Sequence, residues 1–305
     1  MTLGEYAGRR LAQLADSDPR VFVLDGDLAD SDGASHFAQK HPDRFLMAGI
    51  AEQNMVSVAA GMAAAGMKPF VFSFGAFLSF RAYDQIRVCL SQARQPVVLM
   101  ASHATGLAGR NGKTHASLND LALMLSLPHI EIWTPVDSYD IDLALDASLR
   151  TANPVYIRMP RAPFPASERL QSRLEIVRWA LPKQPNVILS HGLATRWALE
   201  AARILQQRGM SVGILHFARL KPLPSIGRLL SGVIRGFVVE DHVEGCALST
   251  IINALQLPMQ TISLGWPAIF DGKSGHDTKL RDHFNLSGEK LAEIIAAHLN
   301  QPQQC

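Results

Sequence analysis

Cysteine is scarce in this chain of 305 residues: Cys89, Cys246 and Cys305 are three thiols spread far apart. An odd and dispersed set neither builds a disulfide framework nor clusters as metal ligands, so Cys89 and Cys246 read as core thiols and Cys305 as a tail residue. An excess of charge is lacking too. The formal net charge is +2, and the four Tyr and four Trp are not interleaved with Arg or Lys as a platform for bases would require, which argues against a nucleic-acid partner. No apolar run approaches the ~18 residues that span a bilayer, and Met1 to Arg10 has no apolar signal-peptide core. The protein is therefore expected to be cytoplasmic, without membrane contact.

Common nucleotide and hydrolase signatures are also missing. The segment Gly106-Leu-Ala-Gly109-Arg-Asn-Gly112-Lys113-Thr114 approximates a phosphate loop, but Leu107 stands where that loop needs its first glycine. Before Lys273 and Ser274, Pro267 fails the same test. The glycines at 106, 109 and 112 miss the dinucleotide fingerprint, and no GxSxG elbow exists. His103 and His115 flank this loop at a separation that is not a zinc spacing, and no metal site is expected on the chain itself.

With 48% hydrophobic residues the chain can bury the cores of two ordinary domains. Short β-rich runs at Val21 to Leu24, Pro69 to Phe74, Val97 to Ala101, Ile130 to Trp133 and Val155 to Ile157 alternate with helical patterns, including Asn54 to Ala65 and Ala82 to Ala93. That alternation predicts α/β architecture: a doubly wound parallel sheet with helices on both faces and ligands beyond the carboxyl ends of its strands. From about Arg158 to Pro185, five prolines interrupt a polar stretch. The alternation then resumes with Val187 to Ser190, Val212 to Phe217, Phe237 to Glu240 and Thr261 to Leu264. The expected division is a first domain over 1–165, a linker over 166–185 and a smaller α/β domain over 186–305.

Three groups of residues carry candidate chemistry. Glu52 is a lone acid opening a segment in which Met55, Val58, Ala59 and Met62 recur at helical spacing, so it should stand at a buried helix entrance. Complementing the positive end of that helix is its ordinary reading, and proton exchange with a ligand the sharper one. Phe74, Phe77, Phe80 and Tyr83 recur every third position, and the last three would share a face if a helix begins there. Such a patch is either core or a stacking surface for a flat heterocycle. His103 and His115, beyond a strand end, suit hydrogen bonding or proton transfer near neutral pH, or are satisfied by backbone carbonyls.

Taken together, Gly49-Ile-Ala-Glu-Gln-Asn-Met55, Phe77-Leu-Ser-Phe80-Arg-Ala-Tyr83, His103 with the loop to Thr114-His115, Lys221-Pro-Leu223 and Val239-Glu-Asp-His242 resemble the transketolase family over nearly the whole chain. The resemblance implies a thiamine diphosphate pyrimidine-binding domain followed by the family's C-terminal domain. Asp25-Gly26-Asp27 reverses the Gly-Asp-Gly that binds Mg²⁺ and diphosphate in full-length members, and no room exists ahead of it. The chain thus looks like the C-terminal half of a split transketolase, with thiamine diphosphate and Mg²⁺ completed by an N-terminal partner subunit in a heterotetramer.

By the same resemblance, Glu52 would hydrogen-bond ring nitrogen N1′ and favour the imino tautomer that deprotonates the thiazolium. Burial would bring its proton affinity closer to that of the ring. Phe77, Phe80 and Tyr83 would line the pyrimidine pocket, and Asp27 would lie on the thiazolium side. His103 and His115 would contact the transferred two-carbon unit, with Ser31 and Arg161 on the sugar phosphate. Asn111 replaces a frequent aspartate that reads a sugar hydroxyl, and Arg110 and Lys113 make the loop more basic, which implies an altered sugar specificity. The alternatives are a β-type subunit of a 2-oxoacid dehydrogenase and a non-catalytic scaffold half. The second domain is expected to serve subunit packing.

Overall fold

The computed structural model describes residues 1–107, 111–163, 175–269 and 271–301. Arg110, Cys305 and residues 166–174 of the expected linker lie outside them. The first half supplies strands β1 (Val21–Asp25), β2 (Phe45–Met47), β3 (Lys68–Phe74), β4 (Val98–Ser102), β5 (Glu131–Trp133) and β6 (Val155–Arg158). The second supplies β7 (Val177–Leu181), β8 (Asn186–His191), β9 (Gly213–Phe217), β10 (Arg219–Lys221), β11 (Arg235–Val243) and β12 (Gln260–Trp266).

They form two sheets, ordered β10-β5-β6-β4-β3-β1-β2 and β12-β11-β8-β9-β7. All pairings are parallel except β10 on β5 and β7 on β9. Every residue of β3, β4 and β6 is buried, as expected of parallel strands covered on both faces. Alternate side chains divide between two cores. Val71 and Leu99 pack with the helix Glu52–Ala64, whereas Phe70, Phe72, Val98 and Met100 pack with the helices Leu3–Leu14 and Ser138–Arg150.

Local chemistry sets the helix starts. Thr2 and Glu5 form a reciprocal capping box, Asp137 accepts the Asp140 N–H, and Ser287 accepts the Lys290 N–H. Each such cap contributes about 1 kcal/mol. Among the described residues, no helix is long and apolar enough to cross a membrane.

Several expectations need correction. Val177–Leu181 lies in the stretch read as linker but is an edge strand of the second sheet. Nearby prolines masked its alternating Val177, Trp179 and Leu181, and an antiparallel edge strand tolerates such neighbours. Strand β10 belongs to the second half in sequence yet completes the first sheet. The single helix expected over Ala82 to Ala93 is a short α-helical turn, Tyr83–Gln85, followed by a π-helix, Ile86–Gln92. Cys246 is exposed and Cys89 half-buried, so Cys246 is not a core thiol.

Glu240, Asp241 and His242 lie within β11 and are fully buried. Glu240 accepts the N–H groups of Leu248 and Ser249, at 2.6 and 3.0 Å. Asp241 Oδ1 accepts the Gly106 N–H at 3.1 Å and the Trp266 indole N–H at 2.8 Å, and His242 Nε2 accepts the Ala122 N–H at 3.3 Å.

From β6, Arg158 donates to Asp120 Oδ2 at 2.8 Å and to the carbonyls of Ser117 and Asp241, at 3.0 and 2.8 Å. Burial favours the neutral guanidine, but Asp120 and Asp241 more than offset this and raise the Arg158 pKa. A second buried bridge joins Arg178 of β7 to Asp140 at 2.5 Å, with His216 on the other oxygen of Asp140 at 3.0 Å. Burial pushes that carboxyl up, and His216 and Arg178 bring it down to about 2. The two halves are thus joined through paired buried charges, and the strand ends of the first sheet are held against the second domain.

Candidate active site

Glu52 is the first residue of the helix Glu52–Ala64, at the entrance expected, and its side chain is 4% exposed. It is buried but not isolated, because Arg81 Nη1 donates to Glu52 Oε1 at 3.0 Å. No described residue is bonded to the other oxygen, Oε2. Arg81 is half exposed, and its guanidinium lies 3.9 Å from the centre of the Phe77 ring. Both contacts escaped the sequence reading, where a lone cation inside an aromatic segment was the available signal. A cavity of about 570 Å³ is lined by Ile50, Ala51, Glu52, Gln53, Asn54, Phe80 and Arg81. Phe80 is 46% and Ile50 75% exposed, so the buried carboxyl lies beside an open apolar rim.

The other aromatics are dispersed. Phe77–Arg81 is a π-helical turn, whose wider winding breaks the three-residue register that would align Phe77, Phe80 and Tyr83. Phe77 stacks on Phe74 at 5.5 Å and meets His115 edge-on at 5.1 Å. The Tyr83 hydroxyl lies 2.9 Å from Ser126 Oγ. Phe80 alone of the three lines the cavity with Glu52.

His103 follows β4 with a φ of 52° and stacks on Phe74, ring centres 3.9 Å apart. His115 lies 6.1 Å from the same ring. The structure therefore brings the two histidines to one aromatic cluster. Burial, then the charges of Arg161 and His115, lower the His103 pKa from the ordinary 6.5 to about 4. His103 is expected to stay neutral down to about pH 5, which imidazole NMR can check. The unfolded chain takes up this proton first, so stability is expected to fall by about 3 kcal/mol as pH drops from 6.5 to 4. His103→Asn should remove that part of the pH dependence in urea titrations.

Asp27 is exposed on the turn after β1 with a φ of 69°, and Ser31 is exposed within the short helix Ala29–Asp32. Beneath them Asp25 accepts the Leu28 N–H at 2.7 Å and Asp32 the Ala34 N–H at 3.1 Å. Burial and the Asp25 charge push Asp32 up to about 9, so this pair holds a proton at neutral pH. Asn111 and Arg161 are exposed, and the Asn111 carbonyl accepts the Thr114 hydroxyl at 3.4 Å. Among the described residues, no three His, Cys, Asp or Glu side chains are grouped to hold a metal.

The description "Transketolase, pyrimidine binding domain" matches residues 1–166, more than half of the chain. The protein belongs to the transketolase family. A putative transketolase C-terminal section from Methanocaldococcus jannaschii is 30% identical, aligned over 96% of this chain and 95% of its own length. A 6-deoxy-6-sulfo-D-fructose transketolase subunit from a Clostridium species is 33% identical over 94% of this chain and 91% of its own length. Among solved structures, a split-gene transketolase described as an inactive beta4 tetramer superposes with a TM-score of 0.82 at 28% identity, covering 97% of both chains. This transketolase-family chain thus corresponds to the C-terminal half of the enzyme, with the α/β pyrimidine-binding domain first. The family depends on thiamine diphosphate.

Proposed function

We propose that this chain is the C-terminal subunit of a split transketolase, transferring a two-carbon glycolaldehyde unit between sugar phosphates only when joined to an N-terminal subunit. The observation that carries the reading is Glu52: a buried carboxyl with one oxygen fixed by Arg81 and the other unengaged, on the wall of a cavity rimmed by Phe80. These residues fit one end of thiamine diphosphate, with an aromatic face for a flat ring and a carboxylate for its edge. When bound, the cofactor supplies the nucleophilic carbon for breaking and making the carbon–carbon bond.

Glu52 would hold the proton at ring nitrogen N1′ through Oε2, while Arg81 fixes the carboxylate plane through Oε1. Phe80 would cover the ring face. Asp27, on its exposed turn, would lie on the thiazolium side. His103, neutral and stacked on Phe74, offers a hydrogen bond to the transferred unit with His115 beside it. Ser31 and Arg161 hold the phosphate, and the basic loop with Asn111 alters the choice of sugar. The diphosphate and its Mg²⁺ are completed by the partner, since charge on that scale needs a cluster of oxygen ligands and donors.

The test is reconstitution. The pure chain with Mg²⁺ and thiamine diphosphate is expected to show no ketol transfer, and the mixture with its N-terminal partner to show it on a panel of ketose and aldose phosphates. Substantial turnover by the pure chain overturns the partner requirement. Xylulose 5-phosphate with ribose 5-phosphate as best pair overturns the altered specificity. Turnover that requires a lipoyl group moves the chain to the 2-oxoacid dehydrogenase β-type subunits.

A further inference from the structure

A second cavity, of about 380 Å³, opens where the two halves of the chain meet. Thr105, Leu107, Arg161, Ala162 and Pro163 form its first-domain wall, and Leu193 with Gly275, His276, Asp277 and Thr278 forms the other. We propose that the second domain is part of the substrate site, with His276 joining Arg161 to bind the phosphate end of the sugar.

Four observations support this. First, the cavity wall includes Thr105, two residues after His103 on the segment that follows β4, and the Arg161 charge acts on the buried His103 imidazole. A substrate whose reacting end lies at His103 and His115 can thus point its other end toward Arg161. Second, Arg161 is exposed and lines the cavity, and its forked guanidinium suits a phosphate. His276 and Thr278 add an imidazole and a hydroxyl from the opposite wall. Third, the second-domain segment reaches further over the loop: a methyl group placed on Gly272 would touch Lys113 Cδ at 3.3 Å, bringing another cation to this side.

Fourth, the walls are fixed to each other. Asp241 bonds the Gly106 N–H, and a side chain at Gly106 would run into the Trp266 ring at 2.2 Å, so the backbone beside Thr105 seats directly on the second domain. The volume lies in the range of small-molecule sites. A site spanning both domains also gives the second domain a part in choosing the sugar, through residues far in sequence from the histidine loop.

The proposal rests on the ketol-transfer reading for the identity of the sugar that bears the anion, but its first test does not need turnover. Inorganic phosphate titrated into the full chain, followed by His276 imidazole and Arg161 guanidinium NMR signals, is expected to shift both with one affinity. Arg161→Met should abolish the response. His276→Ala should weaken phosphate binding, followed at Arg161, by about tenfold, the loss of one charge-assisted hydrogen bond, and His276→Gln, which keeps a donor, should recover part of it.

In the reconstituted complex, His276→Ala should raise KM for phosphorylated sugars about tenfold, while KM for a sugar lacking the phosphate does not change. Wild-type chain that fails to bind phosphate at tens of millimolar overturns the proposal, as does a His276→Ala chain that binds it like wild type. Phosphate binding that behaves as expected in a complex without ketol transfer would sink the functional reading and leave this anion site standing.

Discussion

Exchanging Glu52 for glutamine in the reconstituted complex is expected to lower kcat by about a hundredfold or more, the range lost when a positioned proton-transfer group is removed. Glutamine keeps the shape of the side chain and an oxygen to accept from Arg81, but it cannot hold the carboxylate's charge against a protonated ring nitrogen. The fold should survive. The Arg81 contact is half open to water, where an ion pair contributes at most about 1 kcal/mol. Circular dichroism and the urea midpoint of the variant should therefore stay near wild type while turnover collapses. Removing Arg81 separates the two roles of the carboxyl. Arg81→Met leaves the charge on Glu52 but frees its plane, so a smaller loss is expected. A Glu52→Gln complex that turns over at close to the normal rate would remove the carboxylate from the mechanism and return Glu52 to helix-end electrostatics.

Truncating Arg158 to alanine is expected to destabilise the chain by about 3–5 kcal/mol, because it strands the buried Asp120 and Asp241 without their cation. The pH dependence identifies the cause. Burial pushes Asp120 up, but the charge and hydrogen bond of Arg158 more than reverse this and hold it below the ordinary 3.8. In the native chain the pair therefore stabilises above about pH 4 and is lost as pH falls through the depressed value. In Arg158→Ala burial is left to push Asp120 up without its cation, so the gap between wild type and variant should narrow as the solution is acidified. Urea unfolding at neutral and acid pH measures both. A gap that is constant with pH would assign the loss to packing of the Arg158 stem instead of its charge.

The sequence and the structure agree where one period dominates. Phe70 to Phe72 and Val98 to Ala101 are apolar runs that can only be two-sided strands in this setting, and a helix does follow Glu52, but its buried stripe is Met55, Val56, Ala59 and Ala63, with Val58 of the expected stripe exposed. Agreement ends where long-range partners decide. Phe45–Met47 and Arg219–Lys221 are too short to have a readable period, and they become strands because a neighbour offers a free edge. The aromatic segment carried a helical signal, but its π-turns send Phe77 to the histidines, Phe80 to the cavity and Tyr83 to Ser126. At the site, Glu52, His103 and His115 were legible as unusual residues in loops or at helix ends. Arg81, Arg158 and Asp241 were not, since each is defined by a partner between 29 and 135 positions away.

One strand has a further implication for how the molecule is made. As the chain is synthesised, β1 to β6 can assemble as soon as residue 158 is available, but the open side of β5 has no cover until Arg219–Lys221 arrives. For that interval the nascent protein carries an unpaired edge of Glu131–Trp133, a template for pairing with another copy. The first sheet can be finished only by a segment that lies beyond β9 of the second. The two units thus mature together, and a shortened chain that ended before β10 would inherit a sticky border instead of an independent domain.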